Sequence, residues 1–291
     1  MSFRSRLINV RFDLATGSFD GTGAGTVELS GLRVAASINN IAGDSLNGLQ
    51  MQVFGMREQD MQRLSTLAVK ATVQRRNVVT VTAGDAVGGM SQIFQGTIAN
   101  AWVDYRGMPD ASLALEAYAG FFEKVQAVAV NSYKGATDVS AVIQSLANSA
   151  GFAFVNNGVT TKLDSPYFAG SAVSQIQDCA RAAGIAYDIS NGVVQIWPSG
   201  YSKDDRVLQL SPQSGLIGYP EFTRTGVLVQ CEFNPDIVMN RRIQLDSAIP
   251  QASGMWRAQT CRHEISSMDP NGPWFTYIQL VEGGWQVVRG A

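Results

Sequence analysis

Charge is scarce in this chain. Only 16% of its 291 residues are Asp, Glu, Lys or Arg, against roughly 25% in ordinary soluble domains. Interfaces are depleted in Lys, Glu and Asp relative to free surface, so the favoured reading is surface covered in an oligomer. A neutral surface rich in Ala and Gly is the alternative. The 22 basic and 24 acidic residues leave a net charge of −2, with no Lys/Arg run. Affinity for a phosphate backbone needs clustered cations, so a dedicated nucleic-acid binder is not expected. Histidine is nearly absent: His263 is the only one. A Ser-His-Asp triad would have one possible base, and neither a GxSxG elbow nor a metal-spaced partner accompanies it. The expectation is an ordinary surface or hydrogen-bonded histidine, on a face shared with Cys261 if that stretch is a strand. Cys179, Cys231 and Cys261 are odd in number and far apart, and none belongs to a CxxC. Each falls within an expected helix or strand, which reads as a buried structural thiol made in a reducing cytoplasm.

Long apolar runs are missing too. No stretch approaches 18 apolar residues, and the start Met1-Ser2-Phe3-Arg4-Ser5-Arg6 has no apolar core region. Neither a membrane span nor a secretion signal is expected. GxGxxG and GxxxxGK[ST] are absent. Asp104, Glu116, Glu123, Asp138 and Asp164 belong to no motif, and only their spacing in the fold decides whether any two pair for glycoside hydrolysis. Asp204-Asp205 reads as a solvated linker. No catalytic, cofactor-binding or metal-ligating residue is singled out, and the chain is not expected to be an enzyme.

What is present is a short unit written twice between Thr137 and Trp197. The first copy is a helical pattern ending Asn148-Ser149-Ala150-Gly151, then Phe152-Ala153-Phe154-Val155, an Asn156-Asn157-Gly158 turn and Val159-Thr160-Thr161. The second is a helical pattern ending Ala182-Ala183-Gly184, then Ile185-Ala186-Tyr187, an Asn191-Gly192 turn and Val193-Val194-Gln195-Ile196-Trp197. Thr137 and Ser171 suit the N-caps, and Gly151 and Gly184 the C-terminal stops. Val139, Val142, Ile143, Leu146 and Ala150 form one apolar stripe; Val173, Ile176, Cys179/Ala180 and Ala183 form the other. The Asn-Gly pairs predict type I′ hairpins. Two copies are too few for a solenoid, which leaves a compact α+β module.

The flanks read as strands. Val78-Val79-Thr80-Val81-Thr82 is β-branched, and Leu113, Leu115 and Ala117 alternate with Ala114, Glu116 and Tyr118. A strand from Ile93 to Tyr105 would put Phe94, Ile98 and Trp102 on one face. Glycines 21, 23, 25, 31, 84, 88 and 89 punctuate these strands. One helix, Arg57 to Ala68, carries Met61, Leu64 and Leu67/Ala68 at helical spacing. After Pro198-Ser199-Gly200 and Lys203-Asp204-Asp205, which mark a linker, Val227, Val229, Cys231 and Phe233 alternate with Leu228, Gln230 and Glu232. Trp274, Thr276, Ile278 and Leu280 alternate with Phe275, Tyr277, Gln279 and Val281, aromatic on both faces as if one met the core and the other a partner. The predicted class is α+β, mainly β. Residues 1–120 would form a β-barrel with one flanking helix, 121–203 the α+β module, and 204–291 a second β-barrel.

Three stretches resemble a known family. Val53-Phe54-Gly55-Met56 with Asp60-Met61 and Leu64-Ser65-Thr66-Leu67 resembles the strand-to-helix segment of the first barrel in baseplate hub proteins of contractile-tailed phages. Ser132-Tyr133-Lys134-Gly135, with the helix Val139 to Ala150 and Gly151-Phe152, resembles the segment after it. Leu210-Ser211-Pro212, Gly215-Leu216-Ile217-Gly218-Tyr219-Pro220 and Gly226 to Pro235 resemble the opening of the second barrel, with Gly272-Pro273-Trp274-Phe275-Thr276 near its end. The resemblance covers most of the chain and implies tail-tube-like barrels, two per chain. It also implies a homotrimer whose barrels form a pseudo-hexameric ring between the hexameric tail tube and the trimeric central spike, as in the hub part of type VI secretion spike proteins. The implied partners are two further copies, the spike, a tail-tube or tube-initiator protein, and beyond these the tape measure protein and other baseplate subunits. DNA would pass through the lumen without specific binding. The location would be the virion baseplate, assembled in the host cytoplasm. A cell-wall-binding or wall-degrading tail protein, with the α+β repeat holding glycan, and a distal tail ring protein of a non-contractile phage are the alternatives.

Overall fold

Alternation of apolar and polar residues decides the first segment. In a computed structural model, which describes residues 6–19, 23–41, 44–66, 76–85 and 87–283, this segment holds seven strands. They are β1 (Arg6–Asp13), β2 (Thr26–Leu29), β3 (Val34–Ile41), β4 (Gly48–Phe54), β5 (Val78–Asp85), β6 (Gly89–Asp104) and β7 (Ser112–Tyr118). Helix α1 (Glu58–Leu64) lies against them with Met61 and Leu64 buried in their core. It is shorter than the predicted helix, and Leu67 and Ala68 lie outside the described residues. Ile8, Val10 and Phe12 point inward from β1, as do Leu113, Leu115 and Ala117 from β7. A fully buried side chain of this size contributes roughly 1.5–3 kcal/mol.

The prediction for β6 needs one correction. Phe94 and Ile98 are buried, but Trp102 is only half-buried and lies on the opposite face. The β6–β7 register skips Ala99, between Ile98↔Ala117 and Asn100↔Glu116. One extra residue in one strand reverses the parity of everything after it. Ala101 therefore takes the inward place and Trp102 looks out.

The middle segment holds α2 (Phe121–Val125), β8 (Asn131–Ser132), β9 (Ala136–Asp138), α3 (Val139–Ala150), β10 (Ala153–Asn156), β11 (Lys162–Asp164), β12 (Tyr167–Phe168), α4 (Ala172–Ala183), β13 (Ile185–Ser190) and β14 (Val193–Pro198). Both helices end as predicted, with Gly151 at φ 82° and Gly184 at φ 63°. Ser171 caps α4, accepting from the Ser174 N–H at 3.1 Å. The cap of α3 is Asp138 rather than Thr137: its carboxylate accepts from the Ser140 N–H at 3.0 Å, while the Thr137 hydroxyl donates to the Gly135 carbonyl.

Only the second Asn-Gly pair makes the predicted hairpin. Asn191 (φ 51°) and Gly192 (φ 76°) join antiparallel β13 and β14. In the first copy the Asn156 side chain clasps Val159, accepting from its N–H at 2.7 Å and donating to its carbonyl. β10 instead pairs in parallel with β14, and β11 pairs with β9. The two copies thus merge into one sheet in the order β10-β14-β13, over a core of Val142, Ile143, Leu146, Val173, Ile176 and Ile196.

The last segment holds β15 (Val207–Leu210), β16 (Leu216–Phe222), β17 (Gly226–Glu232), β18 (Arg242–Leu245), β19 (Gly254–Ser267) and β20 (Trp274–Val281). β19 is long enough to serve two neighbours along one edge. Its first residues pair with β18, and Thr260 to Ser267 pair with β3. The opposite edge pairs with β20 from Arg257 to Ile265. The first and last segments therefore share one 13-stranded sheet, β16-β17-β20-β19-β3-β4-β7-β6-β5-β1-β2, with β18 and β15 branching from β19. No closed ladder occurs among the described residues, yet β1 returns towards the β19–β20 turn. Arg6 Nη1 donates to the Gly272 carbonyl at 3.0 Å and its guanidinium sits over Trp274.

The supposed linker is solvated at Asp205, which is exposed, but Lys203 and Asp204 are held by partners. Lys203 and Asp188 form an ion pair at 3.4 Å with side chains 10% and 6% exposed. Asp204 pairs with Arg241 at 2.7 Å.

Candidate assembly surfaces

The inward face of β19 passes from one core to another. Trp256, Ala258 and Cys261 belong to a core with Val227, Val229, Ile278 and Leu280. Ile265 belongs to the core of the first segment, against which Phe233 and Trp274 also pack. His263 lies on the seam. It is 2% exposed, its Nδ1 is 2.9 Å from the Thr276 hydroxyl, and its ring meets Phe233 edge-on. Burial lowers its pKa to about 4, which keeps the imidazole neutral. Cys261 does share its face, as the strand reading required. Cys261 is buried, as are Cys179 and Cys231. Burial raises the pKa of Cys179 and Cys231 to about 12 and of Cys261 to about 11. Among the described residues no group of three or more His, Cys, Asp or Glu is placed to hold a metal.

The carboxylates noted in the sequence are engaged separately. Arg106 grips Asp104 through its side chain and backbone N–H, lowering the Asp104 pKa to about 2. Glu116 accepts from Asn100, Glu123 pairs with Arg76 at 2.8 Å, and Asp138 caps α3. Asp164 sits in β11, where its hydroxyl neighbour Ser165 donates to it.

Polar contacts instead weld the three segments together. Asn47, in the turn before β4, donates to Asp188 Oδ1 at 3.0 Å and to the Ile189 carbonyl at 3.2 Å. Ser190 and Lys203 complete the shell around Asp188. Beside it, Asp44 takes Arg181 at 2.7 Å and the Tyr187 hydroxyl at 2.9 Å, while its carbonyl accepts from Gln177. These hydrogen bonds and the Arg181 charge lower the Asp44 pKa. Burial and Asp44 together raise that of Tyr187. The Asn191-Gly192 tip is also spoken for: a Cβ on Gly192 would come within 3.0 Å of Gln95 Oε1. None of these partnerships was visible in sequence, since Asn47 and Asp188 are 141 residues apart and no motif marks either.

Several surfaces among the described residues are open to a partner. On the outer face of the first segment, Ala35, Gln52 and Ala114 stand in register beside Trp102. Their small side chains leave a groove of about 460 Å³. At one end of the sheet β16 pairs, among the described residues, only with β17, slips register between Ile217 and Glu221, and exposes Tyr219 (74%) and Phe222 (57%). A third opening, about 320 Å³, lies between the α+β module and the last segment.

A mainly β chain with two cores along one sheet, four α-helices among the described residues and an α+β module welded alongside has the fold of phage tail proteins. A tail protein from Neisseria meningitidis MC58 superposes with a TM-score of 0.63 at 12% identity, over 96% of this chain and 97% of that one. The 43 kDa tail protein of prophage MuSo2 from Shewanella oneidensis gives 0.58 at 8% identity, over 94% and 96%. The E. coli c3393 protein, a type VI secretion component described as structurally similar to T4 tail proteins gp27 and gp5, gives 0.59 at 9% identity, over 89% and 76%. A search of curated protein sequences gives no match. The family model described as baseplate hub gp41 matches residues 7–278, and the chain belongs to that family. It is a structural component of the phage tail baseplate. No helix among the described residues is long and apolar enough to cross a membrane.

Proposed function

We propose that three copies of this chain form a ring that joins the hexameric tail tube to the trimeric central spike and surrounds the path of the DNA. Residues 1–120 and 204–291 would act as two tail-tube-like halves, so that three chains present six. Residues 121–203 would brace the ring from outside. The observation that carries this reading is β19, which holds two separate cores in one sheet by pairing with β18 and β3 along a single edge. Two similar halves in fixed relation are what a threefold object needs to match a sixfold one. The exposed edge of β16 and the groove at Trp102 support it, because bare sheet edges and apolar concavities are normally covered. Low charge supports it for the same reason. On this reading the chain has no enzymatic role and binds no specific nucleic-acid sequence.

Light scattering of the purified protein at micromolar concentration tests the ring. The expected mass is three times that of the 291-residue chain, with ring-shaped particles in negative stain. A monomer across that range overturns the proposal.

A further inference from the structure

Arg242 and Arg257 stand directly opposite each other across antiparallel β18 and β19. Their strand neighbours Ile243 and Trp256 are buried, so both arginine side chains leave on the outer face. Like charges in this relation repel. A carboxylate between them would remove the repulsion, and such a group lies beside Arg241, which holds Asp204 at 2.7 Å. Arg242 and Arg257 have neutral partners instead: Arg242 Nη2 donates to the Asp205 carbonyl, and Arg257 Nη1 to Asn240 Oδ1 at 2.9 Å. The Nε of each is buried without a hydrogen-bond acceptor. Burial lowers the Arg257 pKa, with no acidic neighbour acting against it. Arg257 lines the 320 Å³ cleft between module and last segment, whose other walls include Ile185, Tyr187, Trp197 and Met239.

We propose that this cleft receives a carboxylate side chain from another polypeptide, held by Arg257 with Arg242 behind it. A guanidinium that lines the cleft and has no carboxylate partner suits a charge-assisted contact to a planar carboxylate. The cleft has far more room than a bare anion needs, a water filling about 30 Å³. The apolar wall at Trp197 and Ile185 would take the stem of the acidic residue and an apolar neighbour. Asp44 on the opposite wall disfavours a run of phosphates. This site is independent of the ring reading: it concerns what the outer face binds, whatever the copy number.

The test uses the full chain with ¹⁵N-labelled arginine. Three probes are titrated: a capped peptide with one glutamate between two phenylalanines, its glutamine analogue, and inorganic phosphate. The glutamate peptide should shift the Nε–H signals of Arg257 and Arg242 and raise the melting temperature. The glutamine analogue should bind about tenfold more weakly, and phosphate weaker than the glutamate peptide. Arg257→Met should abolish the response without lowering the melting temperature, because it removes one of two repelling charges. Arg242→Met gives a second variant should the first fold poorly, and should weaken the response severalfold. Unmoved Nε–H signals at millimolar peptide, equal binding of the glutamine analogue, or phosphate binding as tightly as the peptide would each overturn the proposal.

Discussion

Lys203→Met is the sharpest probe of how the module is fixed. The Lys203–Asp188 pair is 3.4 Å apart with side chains 10% and 6% exposed. Removing one member of a buried pair strands the other charge, at about 3–5 kcal/mol. Asp188 would keep its hydrogen bonds from Asn47 (3.0 Å) and Ser190 (2.6 Å), so the low end applies, about 3 kcal/mol. At roughly 2–4 °C per kcal/mol for a chain this large, the melting temperature should fall by about 6–12 °C. Asp188→Asn should cost a similar amount by leaving Lys203 unpaired. The double variant should lose less than the sum, with a coupling of about 2 kcal/mol. Arg181→Gln is the control, because the Arg181–Asp44 pair is shorter, 2.7 Å, but 63% and 56% exposed. Exposed pairs are typically worth under about 1 kcal/mol. Urea unfolding followed by tryptophan fluorescence measures all four. Equal losses in Lys203→Met and Arg181→Gln, or a coupling below about 0.5 kcal/mol, would refute the claim that burial makes Asp188 the weld.

Other expectations follow from single residues. His263 has a folded pKa of about 4, below the roughly 6.5 of an unfolded histidine. The unfolded chain then binds the extra proton first, so the contribution is whole above pH 6.5 and lost as pH falls towards 4. The loss is about 3 kcal/mol, and melting curves of His263→Gln should be flatter over that window. Asp138→Ala should cost about 1 kcal/mol as a lost N-cap, and Thr137→Ala clearly less; chemical denaturation ranks them. The buried Cys179, Cys231 and Cys261, with raised pKa values, should resist a disulfide-exchange reagent at pH 8 until the chain is unfolded.

Sequence periodicity reached most of the elements but little of what joins them. The helices at 139–150 and 172–183 were legible because stripe, cap and terminal glycine agree. The first Asn-Gly hairpin misled because both its strands pair elsewhere: β11 joins β9, and β14, with Val194 and Ile196 buried, offers β10 an edge. Trp102 was misplaced by one bulged residue, Ala99, which no local pattern announces. Asp204-Asp205 looked like a solvated linker; Asp205 is exposed, but Asp204 is held by Arg241, a partner only the fold supplies. Arg242 and Arg257 become a pair only once β18 meets β19. Local chemistry is written along the chain, whereas welds and clefts need residues far apart in it.

The same holds for β19, where one further residue decides how the two cores are related. Its register with β20 skips Gln259, between Ala258↔Leu280 and Thr260↔Gln279. Before the skip the inward residues are Trp256 and Ala258; after it they are Cys261, His263 and Ile265. The skip also falls where the strand's edge changes from β18 to β3. A bulge bends a strand and sharpens its twist, so the change of partner and the change of direction coincide. Without it the parity would place Arg262 and Glu264 inward, against Phe233 and Ile278, and charge there would break both cores. Beyond the bulge, the His263 Nδ1 and the Thr276 hydroxyl pair on the seam at 2.9 Å. On the proposed ring reading, the strand shared by the two cores would hold them in the fixed relation that matching two symmetries requires.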